Sequence, residues 1–292
     1  MPQNDFMSLL TQFKGTANRL LAALNLRLET LTAERMETDR LGGLEKLGHF
    51  ENPVFPILNQ FKDCDPSTLF AEVAKHEKRF AGFAAEPKGG EQFSLDNNYF
   101  TSPDAEILYA VVQLHRPRII IEVGSGNSTL LFRQAITDGK LNTRLVSIDP
   151  HPRREIARHS DEVLKERVEN LSDVKRFAEL TANDILFIDS SHEVKPGNDV
   201  LFLFLQLLPS LQPGVLVHIH DVFLPYEYPR QWLVEEKWHW TEQYFVHALL
   251  QDSAQYDVVW AGHYLQRNAP DFNGRFVHGR GESAKSLWLR KK

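Results

Sequence analysis

Read by its hydrophobic and polar positions, the chain falls into two textures. Up to residue 96 apolar residues recur in steps of three and four, whereas from residue 97 short β-branched runs alternate with amphipathic stretches. In the first part Leu9, Phe13, Ala17, Leu20, Leu24, Leu28 and Leu31 make one stripe, with charged residues between them. That spacing predicts an amphipathic helix over 6–31 that docks on the protein's own body or on a second subunit. Gly42-Gly43 ends it, and Asn52 to Pro56 reads as an extended connector. Pro66-Ser67 opens a second helix with Leu69, Phe70, Val73, Ala74, Phe80 and Phe83 on its apolar face. Pro87-Lys88-Gly89-Gly90 breaks the pattern. The expected organisation is therefore a helical N-terminal extension, 1–96, followed by a domain over 97–292.

In that domain Ser102 caps a helix with Pro103 at its first position and Leu108, Val111, Val112 and Leu114 along it. The runs Ile119–Val123, Arg144–Asp149, Asp184–Asp189 and Val215–Ile219 read as buried strands. Glu155 to Lys165 reads as helix and Glu166 to Leu171 as a short strand between the second and fourth. Val200 to Leu208 is apolar all round, as a helix buried against a sheet would be, and Tyr256–Trp260 and Ser286–Leu289 are further strands. Strands alternating with helices predict a doubly wound, mostly parallel Rossmann-like α/β sheet, whose ligands bind beyond the carboxyl ends of the strands.

Composition narrows the partners. With 42% hydrophobic and 25% charged residues the chain reads as globular. A net charge of −6 argues against a general nucleic-acid binder, and the single cysteine, Cys64, excludes an intrachain disulfide or a cysteine-rich zinc site. Met1 to Asp5 lacks the features of a signal peptide, and the longest apolar run, Val200 to Leu205, is far too short for a bilayer. A cytoplasmic protein with no membrane partner is expected.

The candidate chemistry collects at the predicted strand ends. After Ile119–Val123 come Gly124, Ser125 and Gly126, where the backbone turns sharply, and Asn127 and Ser128, which suit a helix start. Backbone N–H groups are left there for an anionic ligand group. Asp149 follows Gly126 by 23 residues, at the end of the second strand, where a carboxylate accepts ribose hydroxyls; the alternative is a helix-capping aspartate. Thr129 occupies the place where the dinucleotide fingerprint wants glycine or alanine, which disfavours NAD, and no Walker loop follows the strand. Asp189 ends the fourth strand, and His220 and Asp221 end the fifth.

Glu122-Val-Gly-Ser-Gly, Ser-Ile-Asp149-Pro and Asp184-Ile-Leu-Phe-Ile-Asp189 resemble the first motifs of class I S-adenosylmethionine-dependent methyltransferases. Phe100-Thr-Ser-Pro-Asp-Ala-Glu, Ile188-Asp-Ser-Ser-His-Glu and His218-Ile-His-Asp-Val-Phe-Leu-Pro resemble more narrowly a bacterial subgroup acting on small molecules and sugars. The resemblance covers residue 97 onward. It implies a seven-stranded sheet with a reversed last strand and S-adenosylmethionine as cofactor. Glu122, Gly124 and Gly126 would flank the methionine part and Asp149 would hold the ribose, with Ser125, Asn127, Ser128 and Asp189 completing the binding set. It also implies O-methylation of a small-molecule or glycosyl hydroxyl. In catechol-type relatives acids after the fourth and fifth strands hold a divalent ion; Asp189 and Asp221 match those places. His220 departs from an all-oxygen set, which leaves Mg, Mn, Fe or Zn open.

Methyl transfer from a sulfonium needs alignment and exclusion of water, and a hydroxyl acceptor must lose its proton to a base or on a metal. Asp189, His192 and His220 are the candidate catalytic groups, and without a metal either histidine is the base. His192 as a mere loop contact, and His218 as a hydrogen-bonded core histidine, are the blander expectations. Tyr226, Glu227, Tyr228, Trp232, Trp238 and Trp240 form either an acceptor wall or ordinary packing, and 269–283, with Arg275, His278 and Arg280, either a lid or a mobile loop. The alternatives are another adenosine or nucleotide enzyme on the same fold, such as an aminopropyl transferase or nucleotide-sugar enzyme, and a non-catalytic binding module. A homodimer through the N-terminal helix completes the expectation.

Overall fold

The computed structural model describes residues 3–83, 92–95, 97, 99–152, 155–251, 253–279 and 282–292, with side chains from residue 11 onward. The break expected at Pro87–Gly90, the side chain of Leu9 and Arg280 lie outside the described residues. Among the described residues no helix is long and apolar enough to cross a membrane. Compactness divides the chain into Met1–Glu51 and Asn52–Lys292.

The first unit holds α1 (Gln3–Leu21), a 3-10 turn (Ala22–Leu24) and α2 (Thr32–Lys46). The single helix expected over 6–31 is thus shorter. Asn25 takes a left-handed φ of 55° and its N–H donates to the Ala22 carbonyl, which ends the helix. The Asn18 amide then holds the Leu28 backbone through both its N–H and its carbonyl, fixing a non-helical return. Gly42 and Gly43 lie inside α2 and not at a helix end. Phe13, Leu20, Leu24, Leu28 and Leu31 are all exposed, at 41% or more.

The second unit begins with three short helices, α3 (Asn59–Lys62), α4 (Ser67–Lys75) and α5 (Glu77–Ala81). The helix expected after Pro66 is broken at His76, and Leu69, Val73, Phe80 and Phe83 are buried as its apolar face predicts. These helices therefore belong to the same compact unit as the sheet. Next come α6 (Asp104–His115), β1 (Ile119–Val123), α7 (Asn127–Asp138), β2 (Arg144–Ile148), β3 (Glu162–Leu164) and β4 (Ile185–Ile188). The chain ends through α8 (Asp199–Phe202), a π-helical stretch (Leu203–Leu207), α9 (Leu208–Ser210), β5 (Leu216–Ile219), α10 (Glu242–Leu250), β6 (Tyr256–Ala261), α11 (Gly262–Asn268) and β7 (Leu287–Lys291).

The seven strands form one sheet in the order β3-β2-β1-β4-β5-β7-β6. β1 to β5 pair in parallel, and β7 runs antiparallel to both β5 and β6. The order reverses between β1 and β4, so a crevice opens there at the carboxyl ends. Alternation along the strands divides the core. Ile120, Leu145, Ile185, Phe187, Leu216 and Trp288 face α4, α6 and α7, while Ile121, Val146, Leu186, Val217 and Leu289 face the 199–210 helix and α10. The 200–208 helix expected to be buried all round is not: Leu205, 62% exposed, and Gln206 face outward, and Leu201 and Phe202 are half-buried.

Three local expectations are corrected. Residues 155–165 are not helical: the Asp161 N–H donates to the Leu145 carbonyl, its carboxylate accepts from the Leu145 N–H, and 162–164 add to the sheet edge as β3. Glu162 is held there by Arg144 at 2.6 Å and Arg176 at 3.0 Å, so strand pairing overrides helical propensity. The expected strand at 166–171 is instead a 3-10 turn, Val168–Asn170. Ser102 does not cap α6; its hydroxyl donates to Glu106 at 2.9 Å. Asp104, in the first turn of α6, accepts from the Lys285 N–H and from the Ser286 N–H and hydroxyl, tying the start of β7 to this helix.

Candidate active site

The glycine turn after β1 is shaped by what lies against it. A Cβ on Gly124 would sit 1.8 Å from the Asp189 carbonyl oxygen, and its φ is +83°, so only glycine lets the β1 and β4 ends approach this closely. Gly126 precedes α7, and its N–H donates to Thr129 Oγ1 at 3.0 Å. Asn127 and Ser128 are the first helical residues and do not cap. Their side chains turn inward: Asn127 donates to Asn97, and Ser128 donates to Glu122 at 2.5 Å.

Glu122 is wholly buried and also accepts from the Thr129 and Ser147 hydroxyls, at 2.6 and 3.0 Å. Burial pushes its carboxyl up to about 7 against the pull of these three donors, with the charge of Asp189 adding to the rise. Its carboxylate thus ties the end of β1 to the first turn of α7 and to β2. Asp149 faces the turn from the end of β2. It accepts from the Ser125 N–H and hydroxyl at 2.9 and 2.8 Å and from the His151 N–H at 2.8 Å. No helix follows it among the described residues up to β3, which removes the capping alternative.

Across the crevice the ends of β4 and β5 bring together Asp189, His192 and Asp221, each with one ligating atom within 4.8 Å of the others. His192 Nε2 is 3.2 Å from Asp189 Oδ1 and 3.6 Å from Asp221 Oδ2, and Nδ1 is 2.9 Å from Glu242 Oε2. His192 and Asp221 both hold left-handed backbones, φ 58° and 55°, at the strand ends. Burial alone would lower the pKa of His192, but its bonds to Asp189 and Glu242 and the charge of Asp221 raise it well above its ordinary value. These neighbours favour the protonated imidazole. Partial burial would raise Asp189, but the nearby His220 and the His192 bond outweigh it and hold the carboxyl well below the usual range.

His220 was expected beside the two acids and lies near them, while the group of ligating atoms within 4.8 Å of one another is completed by His192. The His220 ring lies 5.0 Å from Phe100 and 5.4 Å from His218, and Nε2 stays 3.9 Å from Asp221 Oδ1. His218 does share its face, stacked 4.1 Å from Phe187, but neither of its ring nitrogens has a hydrogen-bond partner among the described residues. Burial holds it neutral. The donor set of two carboxylates and one imidazole fits a divalent ion of the Mn, Fe or Zn type better than an all-oxygen magnesium site.

Trp240 packs 4.3 Å from the His192 ring, Trp238 stacks on Trp240 at 4.6 Å, and Trp232 lies 5.0 Å from Trp238. These aromatics form a continuous wall beside the acid–histidine group. Tyr228 is buried behind it and accepts from the Gln243 N–H, while Glu227 accepts from Tyr244. Lys285 Nζ is 3.3 Å from Asp221 Oδ1 and 5.5 Å from the Trp232 ring centre. Glu242 and Lys285 escaped sequence reasoning because they lie 50 and 64 residues from the partners they meet, His192 and Asp221. Within the expected 269–283 segment, residues 272–278 are packed: Phe272 and Phe276 are buried against Phe70 and Trp260, and His278 meets the Phe80 carbonyl at 2.9 Å. Arg275 lies over the Phe70 ring, so this part of the segment faces the α4 side and is no lid.

Residues 121–222 match the family model described as a methyltransferase domain. Over this segment the chain is therefore similar to methyltransferase domains, and the segment lies in a Rossmann-like sheet whose final strand is reversed. Among curated proteins no sequence matches. Among solved structures the chain is similar to the Bacillus cereus O-methyltransferase in complex with SAH, at 16% identity over 78% of this chain and 92% of that one, TM-score 0.41. It is similar too to an SAH-bound methyltransferase of Podospora anserina, at 15% identity over 91% of this chain and 98% of that one, TM-score 0.41.

Proposed function

We propose that the protein is an S-adenosylmethionine-dependent O-methyltransferase of a small-molecule or glycosyl hydroxyl. The observation that carries this reading is the pairing of two groups across one crevice: the Gly124–Gly126 turn with Asp149, and the Asp189–His192–Asp221 group beside a tryptophan wall. Asp149, already oriented by Ser125, would accept the ribose hydroxyls, and the N–H groups of 125–128 would border the methionine part. Asp189 would stand between cofactor and acceptor, and the tryptophans would exclude water from the transferring methyl. In the transfer the acceptor oxygen forms the new C–O bond as the C–S bond breaks, and the released pair neutralises the sulfonium. Asp189, His192 and Asp221 would hold a divalent ion, which when bound would lower the pKa of the acceptor hydroxyl. His192, whose Nε2 faces both acids, is placed for ligation; His220, whose ring nitrogens have no hydrogen-bond partner among the described residues, is the alternative base. The wall also suits the flat face of a sugar or an aromatic ring.

Calorimetric titration with S-adenosylhomocysteine, before and after EDTA, tests this. Micromolar binding in the wild type and its loss in Asp149→Ala are expected, with Asp221→Ala binding the cofactor product normally and losing metal. Equal affinity in wild type and Asp149→Ala would sink the ribose assignment.

A further inference from the structure

The β4 loop that carries His192 is clamped by the start of α10. The His192 carbonyl accepts from the N–H groups of Thr241 and Glu242, at 2.8 and 3.0 Å, and the Val194 N–H donates to Thr241 Oγ1 at 2.7 Å. Those three bonds suffice to fix the loop. Yet Glu242 adds a carboxylate that is 1% exposed, whose Oε2 meets His192 Nδ1 at 2.9 Å and whose Oε1 has no hydrogen-bond partner among the described residues. Burying a carboxylate with one oxygen unmatched costs free energy that an apolar residue would avoid. A loop lock does not need it; a directed imidazole does. With Nδ1 bound to Glu242 and one ring face on Trp240, the other nitrogen can only point at Asp189 and Asp221.

We propose that Glu242 is a positioning residue: it fixes the His192 ring so that Nε2 is presented to the space between Asp189 and Asp221, where the acceptor or its cation is handled. This rests on the reading that those three residues form the reacting end of the site. Carboxylates placed behind a ligating histidine in this way orient the ring and raise its basicity toward the ion. α10 is thereby part of the site although none of its side chains borders the cofactor turn, and Glu242 acts only through His192.

The test uses the full chain, Mn2+ as the probe, and Glu242→Gln, which keeps the shape and removes the charge. Calorimetry should show Mn2+ binding weakened by about ten- to a hundred-fold in Glu242→Gln, while affinity for S-adenosylhomocysteine is unchanged. Proton NMR should show a slowly exchanging His192 Nδ1–H, absent in His192→Ala and displaced in Glu242→Gln. Unchanged Mn2+ affinity in Glu242→Gln, including the case where only its melting temperature falls, overturns the proposal. If the wild type binds no Mn2+, the metal reading fails on its own. The proton signal then decides: displaced in Glu242→Gln, the positioning role holds without a metal; unmoved, it is overturned.

Discussion

At the scale of single residues, Glu122 shows how a motif acid acquires a role its position alone does not reveal. It is expected to flank the methionine part of the cofactor, and in the fold it also gathers three hydroxyls beneath the turn. Its carboxyl is pushed from an ordinary 4.5 up to about 7, so the folded state holds the proton more tightly than the unfolded chain. The contribution to stability is fully present below about pH 4.5 and is lost as pH rises to about 7. Melting curves of wild type and Glu122→Gln should therefore converge or cross over that window. The change should amount to roughly 3 kcal/mol in relative stability. A gap that does not vary with pH would remove the assignment. Asp189, Asp221 and Asp149 were legible because each closes a β-branched run; His192 over His220 was not. Two histidines with similar sequence credentials differ in their setting: His192 takes a left-handed turn in the loop after β4, whereas His220 directly follows the last residue of β5.

At the scale of elements, hydrophobic period decided most strands and helices correctly, and failed where pairing partners were distant. β3 is the clearest case, since Glu162 to Leu164 has little strand character and is recruited by Arg144, Arg176 and the edge of β2. The β1 turn and the β4 end make one element in function. Gly124→Ala should place a Cβ into the Asp189 carbonyl at a left-handed φ. We expect a loss of more than about 3 kcal/mol in urea unfolding and weakened S-adenosylhomocysteine binding in whatever folds. A loss under about 1 kcal/mol would mean the two backbones separate easily and the close approach is incidental.

At the scale of the molecule, the compact unit that holds the whole sheet starts at Asn52, and the exposed stripe of Phe13, Leu20, Leu24, Leu28 and Leu31 belongs to the other unit. We propose that these exposed apolar residues form a contact with a second copy of the chain. A chain of residues 52–292 is expected to unfold cooperatively and to bind S-adenosylhomocysteine within about two-fold of the full chain. Light scattering on both would test the dimer proposed for the N-terminal helix: a dimeric full chain and a monomeric 52–292 are expected. The same oligomeric state for the two would remove these residues as the dimer contact.

By itself the sequence determined the alternation of strands and helices, the strand that carries the glycine turn, and the acids at the carboxyl edge. Those features are local: a β-branched run, a glycine pair and a terminal aspartate each sit within a dozen residues, and short-range sterics and burial period govern them. Only the tertiary structure decided that His192 Nε2 sits between Asp189 and Asp221, that Glu242 stands behind it, that Lys285 reaches Asp221, and that Phe272 and Phe276 pack against the α4 side. Each of these depends on where two segments far apart in sequence meet across the sheet. That meeting is set by strand order and by the packing of helices on its two faces, which no local pattern along the chain encodes.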